Sequence, residues 1–275
     1  MLAHLRRFAV WLALLALASH AHAACQLDGQ ATLGTTYNHT FPTRTIGIST
    51  IHANDLLIMH VGINSENRGS PNYVPFVTGI TGAGVTWKKR ISAGNFIPSC
   101  WFFGDCWVAS EVWYAVAPAA ISPSVVTVNV STPDVAYASL SFFAIHNSSA
   151  FDANGSLPRL ATNYTTSTAA IQVPGVSTNS ANTWGLTFCD FFGPGVGSFA
   201  CSVQAGPWAN INGISQQNLF ISFGLATGDA FLALPAAVSG VTFAPYATAE
   251  NRWIAIGDAV VCGSAGSFSN VQINE

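Results

Sequence analysis

The 95–107 segment, Asn95-Phe96-Ile97-Pro98-Ser99-Cys100-Trp101-Phe102-Phe103-Gly104-Asp105-Cys106-Trp107, concentrates the residue types best suited to gripping an uncharged ligand. Trp101, Phe102 and Phe103 lie between two cysteines, and Trp107 follows the second. Rings pinned by a short disulfide loop are rigid before contact. They lose little entropy on binding and can stack on sugar rings or an apolar partner. The same rings can instead plug the open end of a β-sandwich, and both roles fit the sequence. A second loop repeats the pattern: Cys189 and Cys201 bracket Asp190-Phe191-Phe192-Gly193, so Phe-Phe-Gly occurs in both loops.

Glu111 and Trp113 alternate along a run of strand formers and so share one face. A ring to stack on beside a carboxylate that accepts hydroxyl hydrogen bonds is the minimum of a carbohydrate site. A lone Trp on a strand face also serves cross-strand packing. The candidate ligand contacts are therefore Trp101, Phe102, Phe103, Trp107, Glu111, Trp113, Phe191 and Phe192.

Catalytic patterns are not legible. The histidines past the first 23 residues, His39, His52, His60 and His146, show no H-E-x-x-H or H-x-H spacing. His60 stands in an apolar run and reads as a hydrogen-bonded core histidine. There is no G-x-S-x-G elbow. Acids such as Glu111, Asp190 and Asp258 cannot be matched into the facing pair that a glycosidase requires. Asp152-Ala153-Asn154-Gly155-Ser156 starts like a calcium loop but lacks the later bidentate acid, so it reads as an Asx-stabilised turn. No C-x₂-C pair suggests a metal, and no cofactor motif is present.

The first 23 residues have the form of a secretory signal: Arg6-Arg7, an apolar run over 8–18, and the small-x-small site Ala21-His22-Ala23. Residues 24–275 are then expected as a single β-sandwich domain that is secreted, periplasmic or surface-displayed, where six cysteines can pair. Removing Arg6 and Arg7 from nine basic residues leaves seven against twelve acids, a net charge of −5. Charged residues make up only 8% of the chain, far below the usual level of about 25%. Basic residues cluster only at Lys88-Lys89-Arg90, which disfavours nucleic acid as a partner. No later apolar run reaches the roughly 18 residues of a membrane span. A glycan or a cell-surface ligand is the partner class left standing.

No amphipathic helical window follows the signal. Runs of strand formers recur instead, at 43–50, 55–63, 76–78, 85–91, 106–116, 124–130 and 136–145, then at 171–176, 183–191, 208–210, 219–224, 238–243 and 252–261. The expected fold is all-β, an antiparallel jelly-roll-like sandwich of two related halves, about 43–147 and 168–262. The halves are suggested by an ungapped echo of 47–54 in 175–182, and of 138–145 in 252–259. The stretch 147–167 would be a crossover loop.

Ala-Asn-Asp-Leu-Leu-Ile-Met-His-Val, Thr-Gly-Ala-Gly-Val-Thr-Trp-Lys-Lys-Arg, Glu-Val-Trp-Tyr-Ala-Val-Ala-Pro, Ser-Phe-Phe-Ala-Ile and Phe-Asp-Ala-Asn follow one another in order. With the late Ala-Thr-Ala-Glu-Asn-Arg-Trp-Ile-Ala-Ile-Gly-Asp-Ala-Val, this series resembles jelly-roll domains of bacterial secreted proteins and phage tail or surface proteins. The resemblance implies a fold and an adhesive or surface setting, with a structural piece of an envelope or virion as the alternative. It implies no catalytic residues. Local spacing pairs Cys100 with Cys106 and Cys189 with Cys201, leaving Cys25 for Cys262; cross-pairing of the two Phe-Phe-Gly loops is the rival.

Overall fold

The computed structural model describes residues 24–34, 43–67, 75–101, 104–131, 135–153, 157–163, 169–171, 173–194, 201, 207–218, 223–243, 249–250 and 252–263. Regular structure among them is entirely strand. The first half contains β1 (Gln26–Gly34), β2 (Thr43–Ile48), β3 (Asp55–Asn67), β4 (Val77–Gly82), β5 (Lys88–Trp101), β6 (Gly104–Ala117), β7 (Ser124–Val130) and β8 (Val135–His146). The second contains β9 (Ser148–Phe151), β10 (Arg159–Asn163), β11 (Ala169–Ala170), β12 (Val173–Val176), β13 (Thr183–Pro194), β14 (Ala209–Asn218), β15 (Phe223–Leu234), β16 (Val241–Phe243), β17 (Ala249–Glu250) and β18 (Trp253–Cys262).

All pairings are antiparallel. One sheet runs β1-β8-β3-β6-β5, and a three-stranded sheet, β2-β7-β4, covers one of its faces. This is a jelly-roll-like sandwich. The second half repeats the order as β10-β18-β13-β15-β14, with β9 also on β18 and the short pairs β12-β16 and β11-β17 apart. The two large sheets pack face to face, so the expected pair of sheets is doubled into four layers. Leu56 and Ile58 of β3 join Leu186 and Phe188 of β13 in the central core. Leu57, Met59 and Val61 point the other way, against Ile46, Ile48, Val126 and Val128. Cys189, Phe191 and Ala255 meet Val176 and Ile171 in a third core. The continuous apolar run at the start of β3 has this cause: a strand between two layers must be apolar on both faces.

Two expectations need correction. The 147–167 stretch is not a bare crossover: β9 and β10 lie in it and pair with β18 as β1 pairs with β8. The echo between 138–145 and 252–259 is one residue out. Leu56 pairs with Ile145 while Trp184 pairs with Val260, so 138–145 corresponds to 253–260. A slip of one residue would turn every side chain to the wrong face.

The halves agree down to single hydrogen bonds. Thr50 N and Oγ1 bond Ile121 O and N at 3.0 Å each. Thr178 does the same to Val238, at 2.9 and 3.1 Å. Asn54 and Asn182 both take a left-handed backbone, φ 63° and 54°, the conformation Asn tolerates best after Gly. Disulfides Cys25–Cys262 and Cys189–Cys201 are formed. The first ties the start of β1 to the end of β18 and hence the two sandwiches together. Cys106 is also disulfide-bonded; the side chain of Cys100 lies outside the described residues.

Candidate functional site

Three polar clusters stand out, and the first lies between the two large sheets. His60 on β3 is completely buried. Its Nδ1 meets Asp229 Oδ1 at 2.7 Å, and its Nε2 meets Asp190 Oδ2 at 2.9 Å and Ser110 Oγ at 3.0 Å. Ser141 donates to Asp229, Thr227 donates to Asp190, and Ser139 bonds Thr227. A Cβ on Gly62 would overlap the Asp190 carboxylate, so glycine is what lets that carboxylate enter. Burial alone pushes the imidazole pKa down. The charges of Asp190 and Asp229 and their hydrogen bonds outweigh it and raise His60 to about 10. The result is a buried cation clamped by two carboxylates from the opposite sandwich. With His60, Asp190 and Asp229 all sealed from solvent, this cluster locks the halves and has no opening for a substrate.

The second cluster is also a lock. Arg90 of β5 donates Nε and Nη2 to Asp258 of β18 at 2.7 and 2.9 Å and lies over the Phe151 ring.

The third cluster is at the end of the first sandwich and reaches solvent. Asp28, at a bulge in β1, accepts the Ile51 and His52 amides at 2.7 and 2.9 Å and the His52 ring at 2.9 Å. Asp55, at the start of β3, meets His146 Nδ1 at 2.8 Å. The two imidazoles stack with centroids 4.1 Å apart, and His52 is about half-exposed. Burial pushes Asp55 up, and the hydrogen bond and charge of Asp28 add to this against the Thr50 hydroxyl, giving about 8. Burial also pushes Asp28 up, but hydrogen bonds from Asp55, the His52 and Ile51 amides and the His52 ring together bring it down to about 2. Burial, together with the charge of His52, lowers His146 against the pull of Asp28. The two carboxyl groups are thus pushed in opposite directions, Asp55 up and Asp28 down. No group of three or more metal-ligating side chains is arranged for a metal among the described residues.

The residues singled out from the sequence are dispersed. Glu111 and Trp113 do share a face and touch, Trp113 Nε1 donating to Glu111 Oε2 at 2.8 Å. That face looks inward, under the three-stranded sheet. Glu111 also accepts from Val77 N and Ser92 Oγ and pairs with Lys89 at 3.0 Å. Trp107 is buried against Phe96. Phe191 and Phe192 are buried on opposite faces of β13, in different cores. The Trp101 side chain and residues Phe102 and Phe103 lie outside the described residues. Asp152 accepts the Asn179 and Ser180 amides at 2.9 and 2.8 Å, so it caps a distant loop; residues 154–156 of the expected Asx turn lie outside the described residues.

The third cluster escaped sequence reading because its members come from β1, the β2–β3 connection, β3 and β8. The one usable signal was the block His52-Ala53-Asn54-Asp55 against Ser180-Ala181-Asn182-Thr183: same frame, different ionisable content. The chain matches no family model, no curated protein and no solved structure.

Proposed function

We propose that this is a secreted or surface-displayed β-sandwich protein that binds an uncharged ligand, carbohydrate foremost. The observation that carries the reading is where the charge goes. Every acid whose side chain is described, namely Asp28, Asp55, Glu111, Asp152, Asp190, Asp229 and Asp258, is buried. Acids that serve as internal locks and caps leave no acidic face among the described residues, which suits ligands recognised by stacking and hydroxyl hydrogen bonds. Two disulfides are compatible with an extracellular setting. No helix among the described residues is long and apolar enough to cross a membrane. The ligand contacts that remain open to this reading are Trp101, Phe102 and Phe103.

A second reading has one specific observation in its favour. Trp107, Glu111, Trp113, Phe191 and Phe192 are all buried, which suits a structural piece of an envelope or virion with no ligand. Glycan-array binding by the chain lacking residues 1–23 decides between them. Binding that is lost in Trp101→Ala/Phe102→Ala, with the unfolding midpoint kept, supports recognition. No binding supports the structural role, and binding unchanged by the double substitution means that these rings are plugs and that the ligand is held elsewhere.

A further inference from the structure

In the loop joining β2 to β3, the Thr50–Ile121 and Asn54–Ala117 bonds anchor the ends, and the carboxylate of Asp28 holds the tip through the Ile51 and His52 amides. The matching loop joining β12 to β13 is held by Asp152 through Asn179 and Ser180 in the same way. The two latches differ in their surroundings. Pairing register sets Thr183 in the place of Asp55 and Val261 in the place of His146, and the sequence echo sets Ser180 in the place of His52. Nothing about the shared frame calls for a second carboxyl beside the first.

We propose that the Asp28–Asp55 pair is a proton-operated latch, which holds the β2–β3 loop while the two carboxyls share a proton and releases it when that proton is lost. The geometry favours sharing. Both carboxyl side chains are buried, Asp55 Oδ2 is sealed from solvent with no protein donor, and its neighbouring carboxyl is that of Asp28; like charges so placed repel strongly. The groups facing Asp55 are Asp28 from β1, Thr50 from the loop and His146 from β8, on whose ring His52 stacks. Among the described cations, Lys89 and Arg90 are engaged elsewhere, with Glu111 and Asp258. Loss of the proton therefore leaves two carboxylates with only a lowered histidine and a half-exposed one beside them. Separating them means letting go of the Ile51 and His52 amides. The segment released carries Ile51, the most exposed large apolar side chain among those described, at 76%.

The sign follows from linkage. Asp55 is raised in the closed latch, from an ordinary 3.8 to about 8. The closed state is thus favoured fully below the ordinary value, and that advantage is lost as pH rises through 8. Between those limits opening releases one proton, so the opening constant rises about tenfold per pH unit.

Amide exchange of the intact oxidised protein from pH 5 to 9 tests this, with the second half as internal control. Asn179 and Ser180 should speed up about tenfold per pH unit, from base catalysis alone. Ile51 and His52 should speed up about a hundredfold per unit up to pH 8 and about tenfold above, since one linked proton is added. Asp55→Asn keeps a donor toward Asp28 without the charge, and should bring Ile51 and His52 to the control slope. Equal slopes in the unmodified protein overturn the latch, and so does a steep slope that survives Asp55→Asn. If that variant does not fold, a carbon-13 carboxyl titration of the unmodified protein decides. An Asp55 midpoint coinciding with the break in slope supports the latch, and an ordinary midpoint overturns it.

Discussion

Asp28 and Asp152 hold corresponding loops by corresponding bonds, yet one stands among a second aspartate and two histidines and the other does not. The same contrast runs through the centre of the molecule. At matching places in β3 and β13, His60 faces Phe188 and Gly62 faces Asp190. A duplicated frame separates what the fold needs from what has been added to it. Both halves keep the capping aspartate, the left-handed asparagine and the threonine that bonds twice to the facing strand end. Only one half keeps the titrating groups. The cap is therefore structural, and the cluster around Asp28 is an addition that needs another explanation.

The contrast is broken most severely at the centre. His60→Phe would give β3 the residue β13 already has, and would leave Asp190 and Asp229 facing each other with no cation. Removing one partner from a buried ion cluster costs about 3–5 kcal/mol, so the urea midpoint should fall sharply. Adding Asp190→Asn and Asp229→Asn should recover much of that loss, because the penalty is the unpaired charge. His60 also predicts an alkaline slope. Its pKa is raised from 6.5 to about 10 on folding, so its contribution is complete below 6.5 and lost as pH rises through 10. That slope should vanish in the triple variant.

The disulfides come next. Cys25–Cys262 spans 237 residues and joins the sandwiches, whereas Cys189–Cys201 spans 12 within one. Restriction of the unfolded chain grows with loop length, to about 5 kcal/mol for the long loop against about 3 for the short one. Paired Cys→Ser variants compared by chemical denaturation should show the Cys25/Cys262 pair to be the costlier. The reverse order would mean that the halves are held by the buried ions and apolar core alone.

How much of this was legible depends on the residue. Alternation in β6 put Val112 and Tyr114 on one face and Glu111 and Trp113 on the other, and they do face different cores. In β6 alternation could not say that both faces are covered, whereas the nearly continuous apolar run Leu56–Val61 of β3 does carry the mark of a layer on each side. β1, β9 and β10 were missed because their Gly, Asp, Asn and Ser residues read as turns. Most of β15 was missed for the same reason: Gly228 sits where any Cβ would strike the Cys201 carbonyl, and Asp229 is an internal ligand of His60. Punctuation in the sequence was here packing in the fold. His60 was readable as a core histidine, but its partners lie 130 and 169 residues away, and no spacing rule reaches that far.

The smallest effect sharpens the comparison most. Asp152→Ala removes two amide hydrogen bonds from a cap and should cost about 1 kcal/mol, with no dependence on pH between 5 and 9. Asp28→Ala removes two amide bonds of the same kind, but it also removes the His52 ring bond and the neighbour that helps to raise Asp55. In the unmodified protein the stability carried by protonated Asp55 is lost as pH rises toward 8. In the variant Asp55 ionises lower, so its share is already lost at a lower pH and less remains to lose. The cost of Asp28→Ala should therefore exceed that of Asp152→Ala near pH 5 and shrink as pH rises to 9. Urea midpoints of the two variants, measured side by side across that range, would show that excess shrinking. If they stay parallel, the carboxyl pair contributes nothing beyond the cap, and the two halves differ in composition without differing in behaviour.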